Sequence, residues 1–353
     1  MAYTNIDDPS AHFQTTLYTG NSTVNHSITN DGNSDMQPDL WWQINRDLGR
    51  GIYVADSSRG VTKYLTTFTT NADDTVSVYV TSFNSNGFTL SSGDTAVNNN
   101  AERFVTWNWK ANGGTTASNS DGSITSTVQA NQDAGFSIVT YTGTGSAATV
   151  GHGLGVAPKV VIVKARTGVP TSWAVFHKDG STSDDDTFVL NSTAAKATYA
   201  GFWNNQYPSS SVFGISNDIW LNGNGVNFVA YCFAEKQGYS KFGSYIGNGN
   251  ADGPFIYTGF KPAWIMVKDT QSSGDNWQIL DTKRDPHNPQ LKYVQADNSN
   301  AEGSFTFVDI LSNGFKFRST YSVGPNVSGH KTIYMAFAEN PFVTSTGIPT
   351  TAR

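Results

Sequence analysis

A segment of roughly 100 residues recurs three times along this chain, so any admissible fold must house three related units. Tyr18-Thr19-Gly20-Asn21 aligns with Tyr141-Thr142-Gly143-Thr144 and with Tyr245-Ile246-Gly247-Asn248. Each is followed by a proline, Pro38, Pro158 and Pro262, and then by an apolar run: Trp41-Trp42-Gln43-Ile44, Val160-Val161-Ile162-Val163 and Trp264-Ile265-Met266-Val267. Each unit closes on a similar run, ending in Trp109, Phe233 and Phe337. The second and third units keep the tightest register. Trp173 and Trp277 follow their prolines at the same distance, His177 answers to Asp281, and both units end in Phe-Ala-Glu, at Glu235 and Glu339. The first unit diverges: Ile44 stands where the others have Lys164 and Lys268, and its counterpart of His177 is Asp56 or a neighbour.

Alternating apolar and polar residues in runs such as Phe305-Thr306-Phe307-Val308 and Phe315-Lys316-Phe317 point to strands. Helical periodicity longer than two turns is absent. Strands separated by Asn-Gly, Asp-Gly and Gly-Asn pairs imply short antiparallel connections. The expected fold is therefore all-β, with three tandem antiparallel sandwich or jelly-roll-like units and very little helix. The expected boundaries are 1–112 for the divergent first unit, 113–134 for a linker rich in Gly, Ser, Thr and Asn, 135–236 and 237–340 for the second and third units, and 341–353 for an extended tail.

Composition narrows the function classes. A net charge of -6 offers no basic field for a phosphate backbone, so nucleic acid is not an expected partner. No run approaches 18 apolar residues, and the start, Met1 to Asp8, has neither a basic region nor a hydrophobic stretch. Neither membrane insertion nor a signal peptide is expected. The single cysteine, Cys232, lies inside the apolar closing strand of the second unit, where a buried, unreactive thiol is expected.

The segments Ile6-Asp7-Asp8-Pro9-Ser10, Gly135-Phe136-Ser137-Ile138-Val139-Thr140-Tyr141-Thr142-Gly143, Gly238-Tyr239-Ser240-Lys241-Phe242-Gly243 and Tyr334-Met335-Ala336-Phe337-Ala338-Glu339-Asn340-Pro341-Phe342 resemble a repeated domain of unknown function. That domain is found in virion structural proteins of marine tailed phages and cyanophages. The resemblance implies a non-enzymatic surface appendage, a tail fibre or knob-like capsid decoration, on the exterior of a virion assembled in the host cytoplasm. Its partners would be capsid or tail proteins, further copies of the chain in a homo-oligomer such as a trimer, and a host surface glycan. It implies no active site to transfer.

Side chains that could carry chemistry are scattered. The histidines, His12, His26, His152, His177, His287 and His330, form no ligand spacing, and Asp184-Asp185-Asp186 lacks the spaced oxygens of a calcium loop. No catalytic residue, metal or cofactor is expected. Most tryptophans recur at matching positions and are expected in the cores. Trp203 and Trp220 have no counterparts, which makes them the candidates for a ligand-binding face. Two further readings follow from this: a lectin-like array of glycan-binding modules and, third, a polysaccharide depolymerase.

Overall fold

The computed structural model describes residues 2–75, 79–91, 94–320 and 324–350. Almost every regular element is a strand, the helical exceptions being a turn at Pro9–Ala11 and a single helical turn at Ile219–Asn222. In each unit the first strand, Phe13–Thr19, Phe136–Thr142 or Ser240–Ile246, pairs antiparallel with the closing strand, Arg103–Trp109, Asn227–Phe233 or Lys331–Pro341. The closing strand pairs on its other side with the strand after the proline, Leu40–Asn45, Val160–Ala165 or Phe260–Asp269. The closing strand is thus interior to its sheet, paired on both sides, although it comes last in the unit, so each sheet requires a long-range connection.

Why the strand after the proline reads as an unbroken apolar run becomes clear from its surroundings. Every residue of Leu40–Asn45 and of Val160–Ala165 is buried, because the main sheet has a covered face on both sides. One face packs against its own unit's second layer. In the first unit this layer is the ribbon of His26–Ile28, Gly87–Leu90 and Val80–Asn84, enclosing Trp41, Phe88 and Phe104. In the second it is Ala148–Gly151 with Val212–Ile215, enclosing Val163, Phe176 and Phe213. The third unit bends its sheet through Gly303–Leu311 onto Gly314–Phe317, enclosing Ile265, Phe315 and Phe317.

The opposite faces of the three main sheets meet in a single shared core. At its centre lie the three aligned terminal aromatics. Trp109 is 6.3 Å from Phe233 and 5.6 Å from Phe337, and Phe233 is 5.9 Å from Phe337, centroid to centroid. These edge-on contacts suit the ring quadrupoles. Three aligned residues in mutual contact place the units around a pseudo-threefold axis rather than in a row.

Contacts between neighbours repeat in the same sense around the ring. Trp173 Nε1 donates to the Thr66 carbonyl, Trp277 Nε1 to the Val189 carbonyl, and Thr67 Oγ1 to the Ala296 carbonyl. The main chain does the same: Asp73 N–H bonds the Arg166 carbonyl, Lys196 N–H that of Thr270, and Glu302 N–H that of Arg46. The last of these joins the third unit to the first, so the ring is closed without a covalent link at that seam.

Two segments differ from expectation. Residues 113–134 do not form a bare linker: Ala117–Asn119 and Ser126–Asn131 extend the second unit's sheet, with Ser126–Asn131 covering the outer edge of Phe136–Thr142. Short apolar content hid this, because only Val128 and Ala130 supply apolar side chains, while Gln129 on the other face is buried and bonds the Ser57 and Ser58 hydroxyls of the first unit. The expected extended tail from 341 is also folded through residue 350. Val343 bridges to Pro349, and Ser345 donates from its N–H to the Asp7 carboxylate at 2.6 Å. Residues 351–353 lie outside the described residues.

Candidate functional site

The densest groups of ionisable side chains sit at the seams between units. Asp56 ends the strand Ile52–Asp56, and the turn after it brings Arg59 back three residues later. The Asp56 carboxylate accepts from the Arg59 side chain, from Arg59 N–H at 2.8 Å, and from the hydroxyl of Tyr231, in the next unit, at 2.7 Å. Arg59 continues to Asp73, and Arg166 of the second unit reaches Asp73 at 2.8 Å. Burial works to lower the Arg59 pKa, but Asp56, Tyr231 and Asp73 outweigh it and leave it raised, so the cation is fixed.

The seam between the third and first units repeats this arrangement. Asp281 accepts from Arg284 N–H at 2.8 Å, from Arg284 Nε at 2.5 Å and from Trp107 Nε1, in the first unit, at 3.1 Å. Arg284 reaches Glu302, which Arg46 of the first unit holds at 2.9 Å. The chain therefore spells the same element twice, as Asp56-Ser57-Ser58-Arg59 and Asp281-Thr282-Lys283-Arg284. That shared Asp-x-x-Arg is the signal that sequence reasoning passed over.

The remaining seam, between the second and third units, is built without this charge. His177 stands for the aspartate and Gly180 for the arginine. His177 is buried, its Nε2 lies 3.1 Å from the Tyr334 carbonyl, and its Nδ1 accepts from Gly180 N–H at 3.3 Å. That pair of bonds suits the neutral tautomer protonated on Nε2. Burial lowers its pKa to about 4. A Cβ at Gly180 would lie 2.6 Å from the Ile333 side chain and 2.8 Å from that of Phe188, so a larger residue there would have to displace them. Thr270 replaces the arginine of the partner unit, and Lys196, paired with Asp186 at 2.6 Å, replaces the acid. Lys164 is held by the carbonyls of Thr70 and Thr171, and burial lowers its pKa to about 8; Lys268 reaches the carbonyls of Thr193 and Asp275. Perturbed groups such as these often flag catalysis. Here His177, Lys164 and Lys268 each meet a main-chain carbonyl of a neighbouring unit, at Tyr334, Thr70 and Thr193, so all three lie at seams.

The two tryptophans singled out by sequence separate in space. Trp203 is only 1% exposed and packs at 5.8 Å on Phe176 in the second unit's core, so it presents no face to a ligand. It lacks a counterpart because the loop that carries it is peculiar to the second unit. That loop is organised by Asp185, whose buried carboxylate accepts from the N–H groups of Gly201, Trp203 and Asn205. Asn204 and Asn205 there adopt left-handed φ angles of 59° and 49°, which asparagine tolerates better than most residues. Trp220, in contrast, is half-buried. It follows Asp218, which caps its N–H at 2.8 Å, and lies 6.2 Å from Phe202. Phe202 also contacts Tyr199 at 5.7 Å. Tyr199 and Ile219 are exposed. Sequence reasoning missed Tyr199 and also Tyr207, whose ring lies 3.0 Å from the Lys178 ammonium. One tyrosine among fifteen carries no local signal.

Cys232 is fully buried and its thiol pKa is raised by that burial. Glu235 sits at a unit junction, pairing with Lys159 at 3.1 Å and accepting from Phe242 N–H at 2.7 Å. Glu339 pairs instead with Lys261 at 2.8 Å. The two glutamates thus belong to different seams.

Compared with known families, residues 8–341 match a family model described as Domain of unknown function (DUF7483). No curated protein and no solved structure matches the chain.

Proposed function

We propose that this chain, which belongs to the DUF7483 family, is a non-enzymatic structural component of a tailed-phage particle that forms a tail fibre or capsid decoration on the virion exterior. The observation that carries the reading is the use of the chain's reactive groups. Its aromatic, acidic and basic side chains converge at a shared core and at buried seams, where they hold three units together. Short turns, modest charge and mutual locking of the units suit a part whose work is mechanical. The sequence resemblance to virion proteins supports the location. Its partners are capsid or tail proteins and other copies of the chain, each already a trimer-like body, so that weak contacts multiply by avidity. Antibodies raised against the purified protein should decorate intact particles. Failure to label intact and disrupted particles alike would refute the proposal.

A second reading, host-surface glycan binding, is favoured by one feature, the exposed Tyr199 ring and the half-buried Trp220, both packed on Phe202, with exposed Ile219 next to Trp220. Aromatic faces of this kind stack on the apolar face of a sugar ring. A glycan array probed with the parent protein and with Trp220→Ala and Tyr199→Ala tests it: binding to one glycan class that both variants lose supports it, and a blank array refutes it. Turnover of host polysaccharide, read as new reducing ends, would instead establish the third reading, a depolymerase.

A further inference from the structure

The three seams are covered differently at one equivalent place, the outer edge of each unit's first strand. In an antiparallel pair, alternate residues direct their N–H and C=O groups away from the partner strand. The bonds from Gly20 N–H to the Glu102 carbonyl and from Lys110 N–H to the His12 carbonyl fix which residues these are in the first unit: Phe13, Thr15 and Leu17 point outward. The same reasoning makes Ile138 and Phe242 outward-facing in the second and third units, and the aligned tyrosines Tyr18, Tyr141 and Tyr245 make Thr15, Ile138 and Phe242 equivalent.

Two of these three positions are occupied. Ile138 faces Gln129 of the added strand Ser126–Asn131. Phe242 has its N–H taken by the Glu235 carboxylate at 2.7 Å and its carbonyl by the Lys159 ammonium at 3.4 Å. At Thr15 neither device is present. Glu339, the counterpart of Glu235, is turned to Lys261 and to the Thr282 hydroxyl at 3.1 Å. The position aligned with Lys159 is Ala263. Between Thr15 and these residues lies a cavity of about 410 Å³, and a second of about 760 Å³ adjoins it, sharing Lys261, Thr282, Glu339 and Asn340. The Thr15 hydroxyl, on a side chain that lines the first cavity and is almost wholly buried, has no hydrogen-bond partner among the described residues.

We infer that the open edge of Phe13–Thr19, at the seam where the third unit meets the first, is a docking site for an extended strand of a partner polypeptide. The occupant is argued from the chain itself, since at the equivalent edge of the second unit an added strand, Ser126–Asn131, is what fills the space. The incoming strand runs antiparallel to Phe13–Thr19. Its main chain bonds the N–H and C=O of Thr15, which have no partner among the described residues, and those of a flanking outward residue, and a hydroxyl or amide side chain reaches the Thr15 hydroxyl. Glu339 and Lys261 face it from the third unit. At the mouth, the exposed Lys283–Asp31 pair is screened by solvent and gives way easily. Edge strands left uncovered are the usual sites of this mode of recognition. The inference stands apart from the role proposed above.

Hydrogen exchange on the full-length protein tests it, with a synthetic peptide of residues 124–132 as the probe strand. In the protein alone, the Thr15 and Leu17 amides should exchange about 100-fold faster than those of Thr16 and Tyr18. Saturating peptide should slow Thr15 and Leu17 by about 10-fold or more, and the same peptide N-methylated at alternate residues should not. A Thr15 amide already as protected as that of Phe242, or no added protection from peptide at millimolar concentration, would overturn the inference. So would equal protection by the N-methylated peptide, which cannot donate to the strand edge.

Discussion

Asp56→Asn is the sharpest probe of how the ring is held. The substitution keeps shape and volume, so it isolates charge. In the folded protein the Asp56 carboxylate accepts from Arg59 twice and from Tyr231 across the seam. An amide cannot satisfy all three: with its oxygen on one donor, its NH₂ confronts another N–H or O–H. Arg59 then keeps only Asp73 and the Val54 carbonyl, with its side chain fully buried. Removing one partner of a buried pair typically costs about 3–5 kcal/mol, because the remaining charge is stranded. At roughly 2 °C of melting temperature per kcal/mol for a chain of this size, the midpoint should fall by about 6–10 °C. Urea titration gives the free energy and calorimetry the midpoint. A second substitution refines the test. In the Asp56→Asn background, Arg59→Met should cost less than it does alone, by about 1–3 kcal/mol, since the two residues serve one network. A single-variant loss below about 1 kcal/mol, or strict additivity, would refute the idea that this cluster locks the first seam.

Four further outcomes are expected. Phe233→Ala, at the contact point of all three units, should lower stability by about 3–5 kcal/mol and leave one cooperative calorimetric transition; separate transitions would show units that fold independently. Trp203→Ala should cost a similar amount, whereas Trp220→Ala should cost no more than about 1 kcal/mol, which denaturant midpoints will distinguish. For His177 the folded pKa of about 4 lies below the ordinary value of 6.5, so the unfolded chain binds the extra proton between them. Its contribution is therefore full above pH 6.5 and declines as pH falls towards 4, by up to about 3 kcal/mol; His177→Gln should flatten the pH dependence of unfolding across that window, and an unchanged slope would refute the assignment. Cys232 should resist a thiol reagent in native protein and react at once in denaturant, and rapid native labelling would contradict its burial.

How much of this was legible beforehand depended on whether the signal was local. Strand content, turn placement and the burial of Cys232 all reside in short windows of alternating or apolar residues, and the structure agrees with each. The seam clusters were half legible: the repeated Asp-x-x-Arg is visible in the letters, but a partner such as Tyr231, 175 residues from Asp56, is not. Trp203 was misplaced because a lack of counterparts was taken as exposure, when it reflected a loop wrapped around Asp185.

By itself the sequence determined an all-β, antiparallel chain with enough bulky side chains to fill its cores, because strand formation and turn chemistry act over a few residues. Tertiary structure alone decided that the units close on one another around Trp109, Phe233 and Phe337, that two seams carry a buried Asp–Arg cluster where the third has His177, and that the outer edge of Phe13–Thr19 has no added strand among the described residues. Those outcomes depend on which faces meet across hundreds of residues of chain, where burial turns a charge from harmless to costly and an unmet N–H into a site.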